Sequence, residues 1–522
     1  MIALSNVQTL QRLRPSRAKL AQKNRAVSAS LSAPVGGWNV RDSIAAMDPL
    51  DAVSIINYFP GTTSVMLRSG YTQFSTGLPG QVETVFSYSG STTTKLFAAS
   101  GSAIYDCTSG GAVGAASYSG LTNVRWQYVN IATSGGNYIV AVNGADTPLT
   151  FDGTTWATTS ITGLTSTQLI TVELHKNRLW FAQVGTLKAW YLPTQSIAGA
   201  AAALDLSAFA PHGGYIMSIG TWTIDAGYGV DDLIVFVTSN GDVIVYRGTD
   251  PSSASTWALV GVWWIGSPVG RRCLMKYNGD LLIICQDGLI PMSSLLQSSR
   301  TNPKVALTDK IQYQVSQSIT NYGTNFGWQL QLFPKQNMLL LNVPVATGSQ
   351  EQYAMNTITK AWCDLTGWAA NCWTLYNDNI YFGGNTIVGK AWNTNSDNGG
   401  AIAGSFLQAF NYFGSPGQLK RFTMMRPTMY LNGTPSLQGS INVDFETAAP
   451  TSNLSVPALV GGVWDTAIWD SALWGDVQPV SRLWQGAFGV GYCGAPRFAS
   501  TSTGVQILYL STDVVFEPGG II

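Results

Sequence analysis

Few residues of this chain have both the type and the spacing that catalysis requires. The 522 residues include only two histidines, His175 and His212. His175 lies in the run Glu-Leu-His-Lys-Asn at residues 173–177, where we expect a strand to end. No serine or cysteine nucleophile motif lies beside it, so the sequence does not indicate a histidine-activated nucleophile. We interpret His175 as a structural or exposed histidine.

The cysteines have no metal-binding spacing. Six are scattered along the chain without a Cys-x-x-Cys pair, at positions 107, 273, 285, 363, 372 and 493. Zinc and other thiolate sites need closely spaced cysteine or histidine ligands. We predict no metal and no cofactor, and six free buried thiols in a protein made in a reducing compartment.

Acidic and glycine-rich motifs are equally incomplete. Asp231 and Asp232 are adjacent, which in a strand puts their side chains on opposite faces and makes a catalytic dyad unfavourable. The run Thr-Phe-Asp-Gly-Thr-Thr-Trp at residues 150–156 resembles the Asp-box turn of sialidases, but it lacks the residue between Asp and Gly. We interpret it as a turn in which Asp152 and Gly153 bend and Trp156 packs beneath. Residues 266–272 are glycine-rich but lack the lysine of a phosphate loop. We predict no catalytic residue and no enzyme.

Recurring strand pairs form the elements that would position any site. The clearest pair has apolar runs at 233–238 and 243–246 on either side of Ser-Asn-Gly-Asp, in which Asn-Gly suits a tight hairpin turn. Similar units begin near residues 95, 137, 177, 279 and 379. The spacing is typical of β-propeller blades of about 40–50 residues.

We therefore predict an all-β chain with a β-propeller over residues 76–395. The tract's 320 residues suit about seven blades, with six or eight equally compatible. A pair of β-sandwiches is the alternative. Residues 396–522 contain longer strands and are predicted to form a C-terminal β-domain that completes a platform with residues 34–75, so that the propeller is inserted into or joined to this platform.

Composition favours a subunit over an isolated enzyme. Charged residues make up 11% of the chain, against about 25% in typical globular domains, and 55 residues are glycine. Such a surface suits extensive coverage by neighbouring subunits. The sequence contains no long apolar run for a membrane span and no secretory signal, so we expect synthesis and folding in a cytoplasm.

The N-terminal 33 residues are predicted to be a basic arm. Residues 1–41 contain seven basic residues and no acidic one, whereas the remainder has 21 basic and 28 acidic residues, a net charge of −7. The arm would dock on an acidic partner or on nucleic acid, with a solvated tail as the alternative. Its candidate interface residues are Arg12, Arg14, Arg17, Lys19, Lys23 and Arg25.

A second candidate interface lies near the C-terminus. Trp464, Trp469 and Trp474 recur every five residues, a period that matches neither one face of a strand nor one helical stripe. We expect an extension that contacts a neighbouring subunit, since tryptophan is enriched in interface cores. A local cluster that closes the domain is the alternative.

Several motifs, taken together with their order along the chain, resemble those of the tail-hub, or nozzle, proteins of short-tailed bacteriophages. They are Gly-Gly-Trp-Asn at 36–39, the segment from Ala52 to Pro60, Arg-Ser-Gly-Tyr at 68–71, and the later stretches 353–368, 380–384, 395–400 and 511–520. The resemblance therefore touches both ends and the late middle of the chain, whereas residues 110–300 have only the general hairpin pattern.

The resemblance implies a non-enzymatic structural protein of the virion tail, synthesised in the host bacterial cytoplasm. It implies a ring, with six subunits expected, below the head-to-tail adaptor. The ring would extend the channel for genome ejection and bind the tail needle, fibres or spikes, and duplex DNA would pass through without sequence-specific binding. A stand-alone propeller that binds or cleaves carbohydrate is the alternative. A cytoplasmic scaffold of the WD40 type is less consistent, because no Gly-His to Trp-Asp repeat is present.

Overall fold

The computed structural model describes residues 26–225, 230–295, 305–455 and 480–521. The fold is all-β, as predicted. The described residues contain two α-helices, α1 (Met292–Leu295) and α2 (Gln312–Tyr322), and the sequence did not predict α2. Short 3-10 turns lie at Ser166–Gln168, Ser207–Phe209, Asp309–Ile311 and Pro334–Gln336. None of the described helices is long and apolar enough to cross a membrane.

Four consecutive antiparallel sheets of four strands form the first four blades. The first blade contains β7 (Val82–Ser89), β8 (Thr94–Ser100), β9 (Ala103–Asp106) and β11 (Tyr118–Ser119). The second contains β12 (Gln127–Thr133), β13 (Gly136–Val142), β14 (Leu149–Phe151) and β15 (Trp156–Thr158). The third contains β17 (Leu169–His175), β18 (Arg178–Gln183), β19 (Lys188–Tyr191) and β21 (Ala202–Asp205). The fourth contains β22 (Ile216–Asp225), β23 (Val230–Thr238), β24 (Asp242–Gly248) and β25 (Trp257–Trp264).

Three further blades follow. The fifth has β26 (Leu274–Tyr277), β27 (Asp280–Cys285) and β28 (Gly288–Pro291). The sixth has β29 (Gln329–Phe333), β30 (Met338–Ala346), β31 (Ser349–Asn356) and β32 (Trp362–Leu365). The seventh has β33 (Cys372–Tyr376), β34 (Asn379–Gly383), β35 (Val388–Thr394) and, from far earlier in the chain, β6 (Gly70–Thr76), which also pairs with β10 (Gly111–Ala112). The small strands β16 (Ile161–Thr162) and β20 (Gly199–Ala200) pair separately.

The seven blades close into a ring. The first strand of each blade packs against the first strand of the next, in the order β7, β12, β17, β22, β26, β29 and β33, and β33 returns to β7. Because β6 supplies the outer strand of the seventh blade, the two ends of the propeller tract are held in one sheet. The ring therefore begins at β6, a few residues before the predicted boundary at residue 76.

Apolar layers between blades explain the sequence pattern. Residues 233–237 of β23 are all buried, because one face packs on the third blade and the other on the fifth. A strand covered on both faces has a continuous apolar run instead of an alternating one. The predicted hairpin joins β23 to β24 with Val237 opposite Val243. In its turn Gly241 has a φ of +90°, and Asn240 does not have a positive φ.

The remaining strands form two sheets of the platform. One sheet has the order β39 (Val480–Ser481), β37 (Gln418–Leu431), β42 (Ile507–Ile521), β5 (Val65–Leu67) and β4 (Tyr58–Pro60), with β1 (Val27–Ser32) on β42 and β40 (Gln485–Gly491) on β37. The other continues the sixth blade from β32 through β3 (Asp51–Ile56), β36 (Ile402–Gln408) and β41 (Gly494–Ser502) to β38 (Ser436–Val443), with β2 (Gly37–Trp38) on β3. The end of the predicted basic arm is thus the strand β1.

Candidate functional site

The first strands of the blades surround an axial cavity of about 440 Å³. All seven blades contribute lining residues, among them Thr84, Tyr128, Glu173, Thr221, Lys276, Gln331 and Thr374. Among the described residues that line this cavity, Glu173 is the only carboxylate. The cavity therefore does not assemble the pair of carboxylates that most glycoside hydrolases use.

Glu173 and Lys276 lie together in the axial cavity. Lys276 Nζ is 3.7 Å from a carboxylate oxygen of Glu173. Burial raises the pKa of Glu173 to about 7, although Lys276 and Thr221 act in the opposite direction. A buried carboxyl group with a raised pKa can exchange a proton near neutral pH.

Arg272 closes the axis of the propeller near one end. It precedes β26 in the fifth blade, and its Nη2 donates to Glu83 O at 3.1 Å, Thr84 Oγ1 at 2.9 Å and Trp126 O at 3.0 Å. These acceptors belong to or immediately precede the first and second blades, so the side chain crosses the ring. Burial lowers the pKa of Arg272.

Arg271 and Arg125 lie beside Arg272, and we call this side of the propeller the arginine end. A second cavity of about 580 Å³ is lined by all three. Phe326 lies between two of them, with its ring centroid 4.5 Å from Arg125 Cζ and 5.2 Å from Arg272 Cζ. The arginine end could bind an anion.

The arginine end was missed from the sequence. In the sequence, residues 266–272 indicate only an incomplete phosphate loop, because the lysine of that motif is missing. The available signal was the adjacent pair Arg271 and Arg272 in a chain with few charges. Their backbone acceptors Asn143, Glu83 and Trp126 lie more than 100 residues away in the sequence.

His175 and the turn at Asp152 and Gly153 have structural roles in the fold. His175 is the last residue of β17, only 2% exposed, and its Nδ1 is 3.4 Å from Thr221 Oγ1. Burial lowers the pKa of His175 to about 4. The Asp152 carboxylate accepts from the Thr154 and Thr155 amides, and Trp156 is buried in the apolar layer between the first two blades, as predicted.

All six cysteines are buried and outside any disulfide, as predicted. Burial raises the thiol pKa of Cys107 and Cys372 to about 11 and that of Cys273 to about 12. Within the four described ranges, no group of three or more His, Cys, Asp or Glu side chains is placed to hold a metal ion.

An exposed apolar surface, the β40 patch, lies on the platform. We define it by Phe488 and Val490 on β40, Met424 on β37, and the preceding residues Leu483 and Trp484. Phe488 is 85% exposed and Val490 is 56% exposed. Ion pairs flank the patch, with Arg426 bound to Asp513 at 2.6 Å and stacked over Trp484 at 4.8 Å. Large exposed apolar groups on one strand are typical of a contact surface.

Residues far apart in the sequence meet where the platform joins the propeller. Trp38 packs edge-on against Tyr353 with ring centroids 5.5 Å apart. Gly37 has a φ of +77°, and a Cβ there would lie 2.5 Å from Trp362 O. Arg68 is buried and bound to Asp397. We call this contact region the junction.

The predicted interface residues lie outside the described residues. These are the three tryptophans Trp464, Trp469 and Trp474 and the basic residues Arg12, Arg14, Arg17, Lys19, Lys23 and Arg25. Their assignment to an interface stays a prediction.

Comparison with known proteins gave structural likenesses only. No protein-family profile and no curated protein matches the sequence. The β-propeller domain of Myceliophteria thermophila Cps50 (Swd1) is 14% identical with a TM-score of 0.41, over 62% of this chain and 99% of that chain. The computationally designed protein Ika8 is 12% identical with a TM-score of 0.34, over the same shares of the two chains. BBS1N, in a complex with ARL6DN, is 16% identical with a TM-score of 0.26, over 40% of this chain and 78% of that chain. At such scores the fold assignment depends on the strand pairing described above.

Proposed function

We propose that the protein is a structural, non-enzymatic subunit of a bacteriophage tail, in the hub or nozzle ring below the head-to-tail adaptor. The observation that carries this proposal is the junction. Five of the seven stretches that resemble tail-hub proteins, at residues 36–39, 52–60, 68–71, 353–368 and 395–400, contact one another there. Most of the resemblance therefore lies in one connected region of the fold instead of in unrelated turns.

The junction depends on close packing between these stretches. Gly70 lies against the chain at Ser396, where a Cβ would be 1.9 Å from the carbonyl oxygen. The side-chain amide of Asn57 donates to Thr366 Oγ1 at 2.9 Å. Glycine and asparagine are required at such positions by backbone approach and by buried hydrogen bonding. This packing supports treating the ordered motifs as one structural signature.

The β40 patch supports assembly into a ring. Among the described strands, β40 pairs only with β37, at the margin of the platform sheet. An apolar strand at a sheet margin favours contact with another chain. The low charge content of the sequence is consistent with surface covered by neighbours. We propose that the β40 patch packs against an adjacent subunit.

The ring would act by enclosing a lumen for DNA, without catalysing a reaction. The axis of each propeller is crossed by Arg272, so duplex DNA would pass between subunits and not through a propeller. Six subunits would surround this lumen. The net charge of −7 outside residues 1–41 would keep the phosphate backbone from binding strongly to the wall. A lumen lined mainly by lysine and arginine in the assembled ring would contradict this mechanism.

Native mass spectrometry of the purified chain, alone and mixed with the adaptor of the same phage, tests the proposal. We expect a closed ring in at least one of the two samples. A monomer in both would contradict the proposal and favour the carbohydrate-binding alternative, which a glycan array would then test directly.

A further inference from the structure

The arginine end contains more positive than negative charge, because Glu83 forms an ion pair with Arg125 alone. Among the described residues, no carboxylate forms an ion pair with Arg271 or Arg272. Arg271 Nη1 donates to a neutral acceptor, Asn143 O, at 3.2 Å. The acceptors of Arg272 are likewise carbonyl, hydroxyl and amide oxygens. Two arginines therefore line the same cavity in partly buried positions without a counter-charge in contact.

Two acidic side chains of this region, Glu83 and Asp146, accept hydrogen bonds from other groups. Glu83 accepts from Arg125 Nε and Nη2 at 2.9 to 3.1 Å. Asp146 accepts from the amide of Thr122 at 3.0 Å and from Asn143 Nδ2 at 2.7 Å. Both carboxylates are therefore engaged with donors other than Arg271.

Partly buried guanidinium groups without an anion cost free energy of folding. Charges removed from water are usually paired, because desolvation is otherwise uncompensated. Burial lowers the pKa of Arg271, and the charge of Arg125 acts in the same direction. A guanidinium nevertheless stays protonated in proteins, so a bound anion would compensate this charge more fully than the neutral acceptors do.

The adjoining cavity has the size and lining for a small polar ligand. Its volume of about 580 Å³ lies within the usual range of ligand sites. Asn123, Asn143 and Gln127 supply amide groups to the wall, whereas Phe326 and Trp328 supply aromatic surface. The fork of a guanidinium suits an oxyanion with two oxygens in one plane.

We propose that the arginine end binds an oxyanion, the carboxylate or phosphate group of a small hydrophilic ligand, with Arg271 as its main contact. Arg272 holds the inner wall through its contacts across the ring and adds positive potential. The site lies within one propeller and does not require ring assembly. Its test is therefore separate from the test of the proposed tail function.

Thermal unfolding with inorganic phosphate or citrate as the probe tests this site. Ionic strength is kept equal with sodium chloride so that charge screening is matched. Citrate and phosphate also stabilise folded proteins without a binding site, and the variants below separate that general effect from binding. A ligand that binds the folded state raises Tm in proportion to the logarithm of its excess over Kd. We expect citrate, phosphate or both to raise Tm above the chloride control. A rise with citrate alone identifies a carboxylate site, and a rise with phosphate alone identifies a phosphate site.

Two variants make the test specific. Arg271→Gln should reduce the affinity for the effective anion by about tenfold or more, because it loses charge-assisted hydrogen bonds. Its Tm in chloride alone should not fall, since an uncompensated charge is removed. Arg421→Gln, on the exposed platform, is the matched control and should retain the full rise. No rise in the wild-type protein, or an equal rise in Arg271→Gln, would overturn the proposal.

Discussion

The guanidinium of Arg68 donates two parallel hydrogen bonds to the carboxylate of Asp397, at 2.8 and 2.6 Å. Arg68 also donates to Asn57 Oδ1 at 2.9 Å and lies over the ring of Trp368 at 4.6 Å. It follows β5 of the platform, whereas Asp397 follows β35 of the seventh blade. This ion pair therefore links the platform to the seventh blade of the propeller.

Asp397→Asn should destabilise the protein by about 3–5 kcal/mol, the usual cost of leaving one partner of a buried ion pair uncompensated. Urea denaturation of the wild-type protein and the variant measures this difference. Glu517→Gln is the control, because it removes the exposed partner of Arg421 and should cost at most about 1 kcal/mol. Equal stability losses in both variants would contradict the special role of the Arg68–Asp397 pair.

Two buried groups should give opposite pH dependences of stability. The pKa of His175 is lowered to about 4, so its contribution to stability is lost as pH falls from about 6.5 to 4, where the unfolded chain binds more protons. The pKa of Glu173 is raised to about 7, so its contribution is lost as pH rises from about 4.5 to 7. Lys176, Asp232 and Lys276 are the charged groups that act on His175.

Substitution of either residue should reveal the pH dependence of folding stability that the other residue causes. Glu173→Gln should make the loss of stability on acidification from pH 6.5 to 4 steeper, and His175→Gln should make stability fall more clearly from pH 4.5 to 7. Each contribution is on the order of 3 kcal/mol. Asp364, whose pKa burial raises to about 7, adds to the slope of Glu173 in every variant. Chemical denaturation across pH 4–8 measures the slopes, and parallel curves for the two variants would refute the assignment.

The buried thiols should not react in the folded protein. All six cysteines are buried. Burial raises the pKa of Cys107, Cys273, Cys363, Cys372 and Cys493, which disfavours the nucleophilic thiolate. An aromatic disulfide reagent at neutral pH should titrate none of them before unfolding and six after unfolding in denaturant. Rapid reaction of any thiol in the native protein would contradict this burial.

Phe488→Ser should weaken subunit assembly, if the β40 patch is the subunit contact. A buried interface aromatic is typically worth more than about 1 kcal/mol, which corresponds to a shift of about tenfold in assembly. Because Phe488 is 85% exposed in the isolated chain, its loss should change folding stability by less than about 0.5 kcal/mol. Sedimentation velocity measures assembly. Tyr313→Ser changes a 70% exposed aromatic on α2 and should leave assembly unaltered.

Removal of residues 1–25 should weaken docking on the adaptor, if the basic residues of this segment bind an acidic surface. The deletion stops before β1, so the pairing of Val27 with Phe516 is preserved. Binding should also weaken with added salt, because exposed charges are screened. A pull-down with the adaptor compares the deleted and full chains, and equal binding at low salt would reject this role.

Sequence patterns predicted the repeated features well because those features are local. A strand covered on both faces needs an apolar run, as in β23, and a tight turn needs a residue that accepts positive φ, as Gly241 does. The same reasoning placed Trp156 beneath its turn. The helix α2 was not predicted, since its few buried residues, Val315, Ser318 and Ile319, form a weak periodic pattern within a strand-rich tract.

The sequence by itself determined an all-β chain of repeated hairpins, a low charge density and six thiols without metal-binding spacing. Only the tertiary structure decided that seven blades close around an axis, that β6 completes the last of them, and that Arg68 meets Asp397. It also brought Arg271 and Arg272 to Asn143 and Trp126. Strand propensity and turn chemistry act over a few neighbouring residues, whereas blade order and charge pairing depend on contacts between residues hundreds of positions apart.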